Sequence, residues 1–471
     1  MKKVALHTLG CKLNFAETST IGRQFLSRGY EIVGADQPAD IFVLNTCSVT
    51  ERADRECRQI IRRTLRHSPE AYVVVTGCYA QLQPQEIASI QGVDLVLGSP
   101  EKFHIFNYGG DFTKNSASQI FVSCIDEAES FSPAYSAEVG GRTRAFLKIQ
   151  DGCDYQCSFC TIPMARGGSR SMPAAEVAGQ ARMLAGQGYK EIVLTGVNVG
   201  DYRAQDAPTL LMLLKELDGV DGIERIRVSS IEPNLLTREM IDFILSSERF
   251  CNHFHIPLQS GSDQILRLMR RRYVRDHYRE LVDDIRRADP DACIGADVIV
   301  GFPGETDRLF EETYNFLGEL PLSYLHVFTY SERERTASEN FAGRVEPGLR
   351  FRRNEVLRLL GREKRAAFHS RFVGKTLPVL FEHAHPRGRT SGLTTNYIRV
   401  GAEGDDSMTN TIRSVRISGA DDECCSGSVQ ATSEQSRESL SNLPTNLYGQ
   451  FFIQSPNVFE PVASEAVKEL R

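Results

Sequence analysis

The chain has 471 residues, too many for one hydrophobic core, and so divides into two or three domains. Its 41% hydrophobic and 25% charged content is that of ordinary globular protein, and no stretch approaches the length of a membrane span. Twelve cysteines without an export signal point to metal or redox chemistry in the cytoplasm rather than to disulfides. The net charge of −6 does not exclude a nucleic-acid partner, because residues 401–443 carry eight acidic residues against three arginines, a local −5. Basic runs at Arg52–Arg66 and Arg267–Arg275 lie in the nearly neutral remainder. Such runs neutralise phosphates, although solvated helix faces account for them equally well.

Residues 1–108 alternate strand and helix patterns, with strands at Val4–Thr8, Ile41–Asn45, Tyr72–Thr76 and Leu95–Leu97. That order predicts a small doubly wound parallel sheet. Cys11, Cys47 and Cys78 each fall just after one of the first three strands. Parallel strand ends share one edge about 4.8 Å apart per strand, so three cysteines distant in sequence converge on one ligand site. Cys57 lacks this placement and is read as structural, while Asn14 and Asn45 flank the loops as orienting or plain turn residues. Residues 109–144 are Gly- and Ser-rich and are expected to form a linker, with Cys124 structural.

Residues 145–171 read AFLKIQDGCDYQCSFCTIPMARGGSRS, an apolar strand followed by Cys153, Cys157 and Cys160 in C-x3-C-x2-C order. Structural zinc usually shows two separated cysteine pairs, whereas three thiolates on one short loop suit an iron–sulfur cluster with one open iron. This motif, with Phe159 before the last cysteine, resembles the signature of radical S-adenosylmethionine (SAM) enzymes. The continuation TIPMARGGSRS and the three upstream cysteines resemble the radical SAM methylthiotransferase family, over about residues 1–400.

The resemblance implies an α/β architecture of three parts. An N-terminal doubly wound parallel-sheet domain (1–108) carries an auxiliary cluster, a partial (β/α)6 radical SAM barrel spans 145–370, and a small TRAM-like β-barrel spans 371–464. Six strand patterns from Ala145 to Tyr330 match such an open barrel, whose chemistry lines the carboxyl ends of its strands. Two [4Fe–4S] clusters are implied, on Cys11/Cys47/Cys78 and on Cys153/Cys157/Cys160. For SAM, Asn198 after the second barrel strand stands where the family usually carries an acidic residue, leaving the amine to it and the backbone. Glu232 is a candidate for the ribose hydroxyls, Gln259 is expected to face the pocket, and Gly301 and Gly304 match the family's adenine turn in DVIVGFPGE. Arg166 and Arg170 are candidates for the SAM carboxylate. His253 and His255 alternate with apolar residues, and one of them reads as a core-facing polar residue rather than a metal ligand. The acidic, Ser-rich segment 401–443, with adjacent Cys424 and Cys425, is expected to be a flexible loop, and Leu447–Gln454 the strand that closes the β-barrel.

Replacing an unactivated aromatic C–H by C–S lies beyond acid–base chemistry, so cofactors must carry it. The resemblance implies SAM cleavage to a 5′-deoxyadenosyl radical at one cluster and sulfur delivery from the other. An electron donor such as flavodoxin or ferredoxin is implied as well. T-L-G-C-K-L-N and S-I-E-P resemble the group acting on threonylcarbamoyladenosine in the tRNA anticodon loop. Alternatives are isopentenyladenosine in tRNA, a ribosomal-protein aspartate, a cobalamin-binding radical SAM transferase, and a non-catalytic iron–sulfur RNA-binding protein. One departure from the pattern is Ser331–Thr336, where a glycine usually precedes the threonine.

Overall fold

A computed structural model describes residues 1–48, 51–114, 117–128, 130–137, 143–385 and 388–430. These residues form two compact units, one built from Met1–Ser48 and Arg52–Ser123 and the other beginning at Cys124.

The first unit is a six-stranded parallel sheet of β1 (Lys3–Thr8), β2 (Glu31–Val33), β3 (Ile41–Thr46), β4 (Tyr72–Gly77), β5 (Leu95–Leu97) and β6 (Gln119–Phe121). The order β2-β1-β3-β4-β5-β6 reverses direction between β1 and β3, which makes that gap the switch point where such sheets bind ligands. Its strands read as unbroken apolar runs because both faces are covered. In YVVVTG every residue is buried, with Val73 and Val75 in one core and Tyr72 and Val74 in the other. β2 and β6 escape the pattern search because each is a three-residue run led by a polar residue, EIV and QIF, the latter exposed throughout, whereas the equally short β5 is wholly apolar and buried. β6 also corrects the expectation of a linker over 109–144, since Gln119–Phe121 extends the sheet beside β5 and Tyr135 bridges to Leu147.

The second unit opens with β7 (Arg144–Lys148), followed by the short antiparallel pair β8 (Gln150–Asp151) and β9 (Arg170–Ser171) that brackets the cysteine loop. β10 (Glu191–Thr195), β11 (Arg225–Val228), β12 (His253–His255), β13 (Cys293–Val300) and β14 (Tyr324–Thr329) complete a partial barrel. Two three-stranded parallel sheets, β11-β10-β7 and β12-β13-β14, are joined by bridges at Ile226–Phe250 and Ser230–His255. Between strands run helices whose apolar faces cover the sheet, among them Ala174–Gly186 and Asp307–Glu319.

The chain then enters a 24-residue helix, Pro347–Ser370, and a closed barrel of β15 (Thr376–His385), β16 (Arg389–Leu393), β17 (Arg399–Glu403), β18 (Ile412–Ala420) and β19 (Cys425–Val429). Here the flexible loop expected from Gly401 is corrected. β18 and β19 pair with each other and close the barrel, with Val415, Ile417 and Cys425 turned into its core. Alternation explains the miss: the outward residues are Ser, Arg and Gly, so few apolar residues mark a strand of so small a barrel. Leu447–Gln454 lies outside the described residues.

The two barrels share a buried polar seam. Arg225 donates to the carbonyls of Leu393 (2.8 Å) and Pro378 (2.9 Å), and Arg227 to those of Thr394 and Thr395 (both 3.1 Å). Arg227 is also paired with fully buried Glu191, and Arg144 with Glu382. These residues stand at or near the amino ends of β7, β10 and β11, so the C-terminal barrel sits beneath the open barrel.

Candidate functional site

In the first unit the cysteines follow β1, β3 and β4 at the switch-point edge. A Cβ on Gly10 would come within 2.9 Å of Cys47 Sγ, and one on Gly77 within 2.4 Å of the Thr46 carbonyl. Both glycines also take positive φ, +99° and +98°. The residues just before Cys11 and Cys78 are therefore pressed against the β3 end that carries Cys47, which only glycine permits. Asn14 donates to the carbonyls of Leu9 (2.9 Å) and Thr46 (3.0 Å), and Asn45 to that of Asn14 (3.0 Å). These two buried amides thus lace the cysteine loops together. Cys11 is exposed, Cys47 half-buried and Cys78 buried. Cys57 is buried in the core, consistent with a structural thiol.

In the second unit, the loop carrying Cys153, Cys157 and Cys160 is held at both ends. Gln150 Nε2 donates to the carbonyls of Asp151 (3.0 Å) and Gly152 (2.8 Å), while its Oε1 accepts from Asn198 N (2.8 Å). Ser158 donates through Oγ to the Leu268 carbonyl (2.8 Å) and through N to that of Met269 (3.2 Å). Arg271 donates to Cys157 Sγ at 3.2 Å, and Tyr155 N lies 3.4 Å from Cys153 Sγ. Burial pushes the Cys153 thiol up to about 11 and that of Cys160 to about 12, so both are protonated until a metal displaces the proton.

Asn198 is 4% exposed, yet neither polar atom of its carboxamide has a partner among the described residues. A buried amide with both ends open costs stability unless a ligand satisfies it. Its position after β10, beside the cysteine loop, fits the amine and carboxylate of SAM. The three thiols, with no fourth cysteine in the loop, fit a cluster with one open iron.

The other SAM candidates are differently employed. Arg166 is buried and donates to Asp151 Oδ1 (2.9 Å), while Lys148 Nζ holds Oδ2 of the same carboxylate (2.6 Å). Arg170 donates to the carbonyls of Gly168 and Arg166. Glu232 pairs with Arg271. Gln259 adopts a left-handed conformation (φ +68°), locked by ladder bonds to Asp297 O and Ile299 N, which marks it as a strained position beside β13. Gly301 and Gly304 also take positive φ, but the space beside Gly301 is filled by the Arg350 side chain (2.4 Å from an ideal Cβ). Arg271 was not singled out from sequence. Its only signal is an arginine run, within which one member turns inward.

Models of two families match the chain: the radical SAM superfamily over residues 147–317, and the uncharacterized protein family UPF0004 over residues 3–98. The solved structure of the radical SAM methyltransferase TsrM from Kitasatospora setae superposes with a TM-score of 0.53 at 15% identity, covering 72% of this chain and 74% of that one. Fold and cysteine loop together define a radical SAM enzyme.

Among curated relatives, the threonylcarbamoyladenosine tRNA methylthiotransferase MtaB of Bacillus subtilis is 40% identical over 88% of this chain and 94% of its own length. The protein of the same name from Aquifex aeolicus is 39% identical over 87% and 99%. A tRNA-2-methylthio-N(6)-dimethylallyladenosine synthase from Syntrophotalea carbinolica is 32% identical over 88% and 97%. The chain belongs to the threonylcarbamoyladenosine tRNA methylthiotransferase family. Its cofactors are accordingly SAM and two [4Fe–4S] clusters.

Proposed function

We propose that this protein places a methylthio group on C2 of N6-threonylcarbamoyladenosine beside the anticodon of tRNA. The observation that carries the assignment is 40% identity, over almost its whole length, to a relative named for that reaction. Cys153, Cys157 and Cys160 hold the cluster that binds SAM, and Cys11, Cys47 and Cys78 hold the second. When bound, these groups supply the radical and the sulfur that the chain's side chains lack.

The protein's own work is binding, positioning and exclusion of water. The Asn198 carboxamide receives the polar end of SAM, and Gln150 fixes the backbone on which Asn198 sits. Arg271 places a positive charge on Cys157. Phe159, packed against Phe302, shields the loop from solvent. Basic helix faces such as Arg62, Arg63 and Arg66 offer phosphate contacts, and the C-terminal β-barrel acts as an RNA-gripping TRAM-like module. A donor such as flavodoxin or ferredoxin supplies the electron. Among the described residues no helix is long and apolar enough to cross a membrane, and the reaction belongs in the cytoplasm with its tRNA.

The test is mass spectrometry of tRNA nucleosides from cells with the gene deleted and then restored. Methylthio-threonylcarbamoyladenosine should vanish and return. An unchanged level of that nucleoside would overturn the assignment.

A further inference from the structure

Along β13 the side chains alternate. Ala296, Val298 and Val300 join the core under the surrounding helices, so Asp297 and Ile299 face the inside of the open barrel. β14 pairs in register, setting His326 opposite Asp297 and Phe328 opposite Ile299. One level lower, the Tyr324 ring occupies the space beside Gly295, where an ideal Cβ would lie 2.0 Å from it, and so floors the cavity.

On that floor stands a polar cluster. His255 Nε2 donates to Asp297 Oδ1 at 3.0 Å, and His326 Nδ1 donates to the same oxygen at 3.1 Å. The Ser230 hydroxyl lies 2.6 Å from His255 Nδ1, which sets the tautomer that aims Nε2–H at Asp297. Side-chain exposures of 13%, 21% and 16% for His255, Asp297 and His326 mean that the cluster is open to the interior of the barrel.

Oδ1 is thus doubly satisfied, whereas Oδ2 of Asp297 has no hydrogen-bond partner among the described residues. Against the opposing effect of burial, the two imidazoles hold this carboxyl well below the usual range, so it is an anion that accepts only. Its position is four residues, or about 13 Å, beneath the Gly301 turn at the strand's carboxyl end. A purine that enters that mouth with its C6 edge leading carries its N6 substituent toward the triad. Between mouth and triad the walls are apolar, Ile299 and Phe328.

We propose that the His255–Asp297–His326 triad is the subsite that reads the N6 substituent of the substrate, with Asp297 Oδ2 accepting from a ureido N–H or hydroxyl of the threonylcarbamoyl group. This deepens the proposed function and rests on it. A purely hydrocarbon substituent would strip water from the triad and return no donor, so the same geometry selects against isopentenyladenosine.

The test compares binding of two anticodon stem-loop RNAs to the full-length, cluster-reconstituted protein, one carrying threonylcarbamoyladenosine and one isopentenyladenosine. Wild type should prefer the first, and Asp297→Asn and His326→Phe should each cut that preference about 10- to 100-fold. If wild type shows no preference, the substrate assignment itself falls. If wild type discriminates and both variants discriminate equally well, the triad is not the reader. Should Asp297→Asn fail to fold, His326→Phe decides alone. One further equivalent of zinc taken up by the cluster-reconstituted protein and lost in either variant would overturn the proposal by making the triad a metal site.

Discussion

Arg271 reaches Cys157 Sγ with one terminal nitrogen, at 3.2 Å, and Glu232 with the other. A donor and a positive charge at a ligating sulfur stabilise the more negative, reduced state and so raise a cluster's potential. Arg271→Met should shift the midpoint of the Cys153/Cys157/Cys160 cluster to a more negative value, with Arg271→Lys in between. Redox titration followed by electron paramagnetic resonance reads this, and an unmoved midpoint would contradict it.

The two cysteine sets are separable by iron counting. Replacing Cys11, Cys47 and Cys78 together with alanine should leave about four of roughly eight irons, as should replacing Cys153, Cys157 and Cys160. A triple variant that retains all the iron would remove its loop from the ligand set.

Asn198 supports a prediction of opposite signs. Asn198→Leu deletes two buried, unpartnered polar atoms, so the cofactor-free protein should gain about 1–2 kcal/mol of stability by thermal or denaturant unfolding. SAM binding, measured by calorimetry on reconstituted protein, should weaken about tenfold or more. Loss of stability with unchanged SAM affinity would show that the amide serves the fold instead.

Glu382 ties the seam between the barrels to pH. Burial alone would raise its carboxyl, but Arg144 and Arg399 hold it at about 2, below the ordinary 4.5. The folded value lies below the unfolded one, so the stabilisation is complete above about 4.5 and lost as pH falls through about 2. Glu382→Gln should cost about 2–3 kcal/mol at pH 7, and the gap from wild type should close as the acid limb is descended. A constant gap across that window would rule out the ion pairs as its source.

Much of this molecule was legible in the cysteines because an unbroken apolar run announces a buried parallel strand and its last residue announces the ligand edge. That logic located Cys11, Cys47 and Cys78 just past the ends of β1, β3 and β4, and the loop after β7. It was silent where chemistry depends on partners far along the chain. Nothing local to Arg166 tells that Asp151 and Lys148 occupy it, or that Arg350 fills the space beside Gly301. His255, Asp297 and His326 lie 42 and 29 residues apart and meet only through the β12-β13-β14 register. Strands such as Ile412–Ala420 were hidden for the opposite reason, since a narrow barrel asks for only two or three inward apolar residues.

The arginines that fasten the C-terminal barrel spend four of their donors on main-chain carbonyls, those of Leu393, Pro378, Thr394 and Thr395. Every amino acid presents the same carbonyl, so this anchorage is indifferent to which side chains the small barrel wears. These four bonds therefore place no demand on the barrel's side chains, in contrast to the Arg144–Glu382 pair. Acidic turns such as Asp421–Glu423 can stand on the small barrel without breaking these bonds to the body that carries the cysteine loop.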